Sequence, residues 1–284
     1  MTDDAEIVRR KAARKVWVYT ILVLALTTVL TVYLDHAPLP GRLKSTAVMW
    51  GPAFCAFAVK LSFDRNLSGL GLAKSGGGWL LVGFLLPLAY ALPVYLPVWF
   101  SGMGGFDPDR WRTAVPYLGT SGSAGEALAL LLTVGLLDKL SRALGEEIGW
   151  RGFLVPELLK LMPFWKAGLV SGVIWFAFHL PGIFIAGYSS GGGVPLSYQI
   201  ACFAVMVISA AVVFAWVRVR SGSVWPCAMM HASHNLVIQS ILDRATMKGP
   251  LTAYVIGEFG CGLAITSVLT ALIVLSLYRR ARVA

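Results

Sequence analysis

Three groups of polar residues stand where the surrounding sequence is suited to lipid: Glu146, Glu147 and Arg151; His179; and His231, His234 and Asn235. Ionisable side chains at membrane depth cost about 2.5–3.5 kcal/mol each on insertion scales, so they usually face a protein interior or a wet cavity. Glu147 and Arg151 lie four positions apart with the acid first, the better order for an ion pair on a helix. Glu146 is turned by about 100° from Glu147. It lacks that partner, which leaves it available as a general base. His179 adds an imidazole that Trp175, one helical turn earlier, would shield. His231 and Asn235, again four apart, project from one helix face. An imidazole N–H and a carboxamide N–H are suitable donors to an anionic tetrahedral intermediate, contributing about 3–4 kcal/mol per donor. The chemistry these types support together is hydrolysis.

Each group also has a plainer reading. The acid pair with its arginine could be a salt-bridged helix end at the membrane surface, and a lone membrane histidine is more often a packing residue than a catalyst. His231 and Asn235 could be interhelical glue, worth about 0.6–2 kcal/mol. Their coincidence favours a site. Three of the four histidines fall in apolar segments near other polar groups, and only His36 falls in a loop.

The elements that must position these residues are transmembrane helices. Of 284 residues, 57% are hydrophobic and only 13% charged, with a mean hydropathy of +0.72, against about 25% charged in a soluble domain. We expect an all-α polytopic protein of about eight helices, near 16–34, 46–62, 79–100, 125–146, 165–186, 197–217, 223–242 and 253–278, enclosing a polar cavity. Residues 1–15 would be a basic cytoplasmic tail, 16–278 a single helical domain with its catalytic half at about 125–240, and 279–284 a second basic tail. The first apolar stretch lacks a small-x-small cleavage site before Asp35 and reads as a span. Prolines 87, 93 and 97 fall inside the third span, and 75–78, 101–109 and 189–193 read as loops.

The net charge of +10 fits membrane topology better than nucleic-acid binding. With the N-terminus inside, outer segments hold only Arg42, Lys44, Arg110, Arg112, Arg244 and Lys248, and the other 18 of the 24 lysines and arginines are inside. Both termini are therefore expected in the cytoplasm, and the cell membrane is the expected location. The four cysteines, Cys55, Cys202, Cys227 and Cys261, have no paired spacing and read as small buried hydrophobes. No internal repeat of the transporter kind is present.

The three groups, in this order and on successive spans, resemble the motifs of the CPBP intramembrane proteases, which include CAAX prenyl proteases, bacteriocin-processing enzymes and the Abi proteins. Glu146, Glu147 and Arg151 match Glu-Glu-x-x-x-Arg, His179 matches Phe-x-x-x-His, and His231 with Asn235 matches His-x-x-x-Asn. Trp175 stands where the second motif has phenylalanine, which we expect to alter pocket shape rather than chemistry. The resemblance covers about residues 125–240. It implies an endopeptidase in which Glu146 and His179 activate water, His231 and Asn235 stabilise the oxyanion, and Glu147, Arg151 and Trp175 organise the site. Zn²⁺ on Glu146, His179 and His231 and a metal-free glutamic mechanism are equally compatible with it. The partners implied are lipid and a membrane-associated protein or peptide, with no nucleic acid. A non-catalytic scaffold or immunity protein of the same fold, or a proton-coupled transporter, would share the composition.

One tension is geometric. If the fourth helix ends near Glu146, that residue lies at the inner surface while His179 lies about 20 Å outward from Trp165. Bending at Gly145, Gly149 and Gly152 is one way to bring them level, around a water-filled cavity open to the cytoplasm.

Overall fold

A backbone in lipid must satisfy its own hydrogen bonds, so long apolar stretches become helices. The computed structural model describes residues 3–115, 122–191 and 193–283, and is built from eight helical rods. They are α1 (Asp3–His36), α2 (Gly41–Asp64), α3 (Gly77–Phe100), a composite rod over 124–159, α7 (Phe164–Phe184), α8 (Leu196–Ser221), a composite rod over 225–245, and α12 (Cys261–Val283). The first composite joins α4 (Ala124–Leu130), α5 (Leu136–Glu147) and α6 (Val155–Leu159) through π-helical stretches Leu131–Gly135 and Ile148–Leu154. The second joins α9 (Trp225–His234) and α10 (Asp243–Ala245) through the π-helical stretch Asn235–Leu242.

Six of these rods are long and apolar enough to cross a membrane, against the eight expected. The two that fall short are 124–159 and 225–245, which carry the acid pair and the His-Asn pair. In both, π-helical stretches interrupt the α-helix, so neither holds an unbroken α-helix of span length.

Several boundaries differ from expectation. α1 begins at Asp3, so the basic tail is largely helical, and α12 continues through the expected C-terminal tail to Val283. The last span starts at Cys261 rather than 253, after a short helix α11 (Thr252–Val255). Two three-residue strands, β1 (Gly104–Phe106) and β2 (Thr246–Lys248), pair antiparallel with Gly104 opposite Lys248.

The fourth rod matters most. It opens on a capping box, in which Ser123 and Glu126 satisfy each other's backbone N–H groups. It then runs past the expected end at 146 to Leu159, so Glu146 sits mid-rod. Gly145 and Gly149 are sites of close approach. A Cβ on Gly145 would lie 2.8 Å from the Met49 carbonyl, and one on Gly149 would lie 2.5 Å from both Pro52 Cβ and the Tyr19 hydroxyl. Glycine therefore lets α1 and α2 press against the segment that bears the acids.

The two ends of the bundle are distinct. At the tail end, Lys15 bonds Asp64 at 2.6 Å and Glu157 at 3.2 Å, joining α1, α2 and α6, while Phe164 stacks on Tyr278. At the other end Arg42 pairs with Asp138, and Arg142 donates to Ser45 Oγ at 2.9 Å. Lys139 and Arg142, expected inside with the tail, thus lie toward the opposite end. Arg151 lies between the two.

Candidate active site

Glu146, His179, His231 and Asn235 come from three separate rods and line one cavity of about 500 Å³. Placing Glu146 mid-rod removes the geometric tension. Trp175, Phe178, Phe203 and Phe214 supply apolar wall.

Glu146 is 2% exposed, and its Oε2 accepts the indole N–H of Trp150 at 3.0 Å and of Trp175 at 2.8 Å. Oε1 receives no hydrogen bond from the described residues. His179 Nδ1 lies 2.7 Å from the Trp175 carbonyl oxygen, which can only accept, so the proton sits on Nδ1 and Nε2 keeps its lone pair. The glutamate and the histidine therefore each retain one open acceptor.

Glu147 and Arg151 are fully buried. Arg151 Nη1 donates to Glu147 Oε1 at 3.0 Å, as the four-residue spacing predicts, and His231 Nδ1 meets the same oxygen at 2.9 Å. The guanidinium lies 4.1 Å from the Trp175 ring centroid and 4.2 Å from that of Phe214. Those ring faces account for a buried cation whose Nε and Nη2 lack hydrogen-bond partners. Trp175 therefore touches both acids' environments. An indole can donate to Glu146 where phenylalanine cannot, so the departure from the motif alters hydrogen bonding as well as shape.

Asn235 starts a π-helical stretch, and its Oδ1 is 3.5 Å from Gln239 Nε2. Nδ2 remains for the cavity.

A second polar cluster, of which the sequence reading singles out only His234, lines the same cavity. Glu258 Oε1 accepts from His234 Nε2 at 2.9 Å and Gln239 Nε2 at 3.1 Å; Oε2 accepts from Tyr188 Oη and from Gln239 at 3.2 Å. The other His234 nitrogen is 2.6 Å from Tyr90 Oη, and Lys139 Nζ donates to Gln239 Oε1 at 3.0 Å. Glu258 lies outside the spanning helices. Burial pushes its carboxyl up, yet the His234, Tyr188 and Gln239 donors outweigh this and hold it at about 2, below its ordinary 4.5. A signal was present: Glu258 is the sole acid after Asp243.

Among the described residues no three His, Cys, Asp or Glu side chains form a group able to hold a metal ion. Glu146 Oε2 is engaged by indoles, His179 Nδ1 by the Trp175 carbonyl and His231 Nδ1 by Glu147, which leaves Glu146 Oε1, His179 Nε2 and His231 Nε2 without protein hydrogen-bond partners among the described residues. No step below runs through a metal.

Residues 127–237 match the Rce1-like family model, type II CAAX prenyl endopeptidases. This agrees with the CPBP resemblance of the motifs and supports a CAAX-type intramembrane endopeptidase. The Rce1-like region contains all seven motif residues but ends before Gln239 and Glu258. Among curated proteins, none matches the chain significantly.

Proposed function

We propose that this protein is an intramembrane endopeptidase in which Glu146 and His179 share one water. The water donates its two protons to Glu146 Oε1 and His179 Nε2, the acceptors left open toward the cavity. As its oxygen attacks the scissile carbonyl carbon, one proton passes to this pair. The C–N bond then breaks and that proton is returned to the departing amine.

Asn235 Nδ2 and His231 Nε2 are the donors for the tetrahedral oxyanion. With Nδ1–H held by Glu147, His231 donates from Nε2 only when the ring carries both protons. Glu147 orients His231, and Arg151 neutralises Glu147. Trp150 and Trp175 fix Glu146 so that Oε2 is occupied and Oε1 is presented.

The observation that carries this reading is the convergence of Glu146, His179, His231 and Asn235 on one cavity with complementary open acceptors and donors. The test compares newly formed peptide termini in membranes of cells carrying the wild-type protein and Glu146→Gln. Termini present only with wild type are expected. Identical sets, with Glu146→Gln and His179→Ala both retaining biological function, would instead indicate a scaffold of the same fold.

A further inference from the structure

We infer that the cavity opens on the extracytoplasmic face of the membrane, so that its substrate is a polypeptide segment presented on that side. The word substrate rests on the proteolytic reading; the direction of the mouth does not.

The first observation is where the cavity leads. Its lining includes Asp35, Gly41, Lys44 and Ser45, from the end of α1 and the start of α2, together with Lys139 and Arg142 facing them. Asp35 and Gly41 are exposed. At the tail end, Lys15, Lys60, Asp64 and Glu157 line no part of the cavity. There Lys15 and Lys60 converge on Asp64 and Lys15 also reaches Glu157, closing the bundle with buried ion pairs.

The second observation is charge. Moving Lys139, Arg142 and Arg151 out of the 18 lysines and arginines assigned to the tail side leaves 15. The mouth end carries the six named earlier, and Lys139 and Arg142 lie below them. Lys139 is bonded to Gln239, and Arg142 to Ser45 and Asp138. Lysine and arginine near helix ends set orientation by remaining in the cytoplasm. The tail end is therefore cytoplasmic. Since the mouth lies at the opposite end, cytoplasmic termini and a cytoplasmic mouth exclude each other, and the charge distribution decides for the termini.

The test uses cysteine labelling of the full chain in a bacterial expression host. Leu39→Cys and Met247→Cys place thiols on two different connections at the mouth end, and Leu67→Cys places one at the tail end; all three side chains are exposed and none belongs to the site. Intact spheroplasts are treated with a membrane-impermeant maleimide, with the parent protein giving the background from its own cysteines. Leu39→Cys and Met247→Cys should label at least about fivefold above parent before lysis, and Leu67→Cys only after lysis. Absence of labelling at both mouth positions in intact spheroplasts, or labelling of Leu67→Cys there, overturns the inference. Two mouth positions guard against one variant failing to fold. Labelling requires no turnover, so this result stands or falls apart from the proteolytic reading.

Discussion

Two buried glutamates line the same cavity, and they differ in what is left of their lone pairs. Glu258 has both oxygens occupied by His234, Tyr188 and Gln239. Glu146 has one oxygen held by two indoles and the other free of protein donors. Saturation makes Glu258 a fixed strut that ties α3, α9 and the segment before α12 together through His234 and Tyr90. Incomplete saturation leaves Glu146 able to serve as the base proposed above. The two histidines differ in the same way, since both His234 nitrogens are engaged while His179 keeps Nε2 open. Burial does not separate the two; an open acceptor on the cavity wall does, and Glu147, whose Oε2 is also unpartnered, lines no part of the cavity.

Substitution should separate these roles. The largest effect is expected from Glu146→Gln, which should lower the cleavage rate by about 10²–10⁴, whereas Glu258→Gln should leave the rate within about tenfold and lower the thermal midpoint. Equal rate losses would dissolve the contrast. Asn235→Ala should cost about 10²–10³ in kcat by removing one oxyanion donor, measured on a peptide found by the termini comparison. Arg151→Met leaves Glu147 buried without its cation, and unfolding in detergent should show a loss of about 3–5 kcal/mol. Trp175→Phe restores the residue of the family motif and removes one of two indole donors to Glu146; we expect about a tenfold lower kcat with KM unchanged. The smallest effect concerns pH. A carboxyl depressed from 4.5 to about 2 contributes stability that is complete above 4.5 and is lost as pH falls toward 2. His234→Ala removes a principal donor, which raises the folded-state pKa toward 4.5, so the stability lost on acidification should shrink, followed as thermal midpoint against pH.

The helical class and the seven motif residues were legible because a charge in an apolar segment is costly and therefore informative. The same charges hid the architecture around them. The run from Lys139 to Arg151 reads as a helix end, yet Arg142 finds Asp138 and Ser45 and Arg151 finds Glu147 inside the bundle, so the rod continues to Leu159. Gly145 and Gly149 show another limit: glycine in a helix permits bending or close contact, and only the neighbours Met49, Pro52 and Tyr19 select contact. The Glu258 cluster joins positions as distant as Tyr90, Tyr188 and Gln239, and no local spacing links them.

The central claim is that Glu146 and His179 act as one unit on one water, and a double-mutant cycle on the purified protein tests it most directly. Cleavage of one identified peptide would be measured for wild type, Glu146→Gln, His179→Ala and the double variant, with thermal midpoints confirming folded protein. The account predicts that each single variant loses nearly all the rate and that the double variant is little worse than either. Losses that multiply, or a single variant that cleaves as fast as wild type, would contradict it.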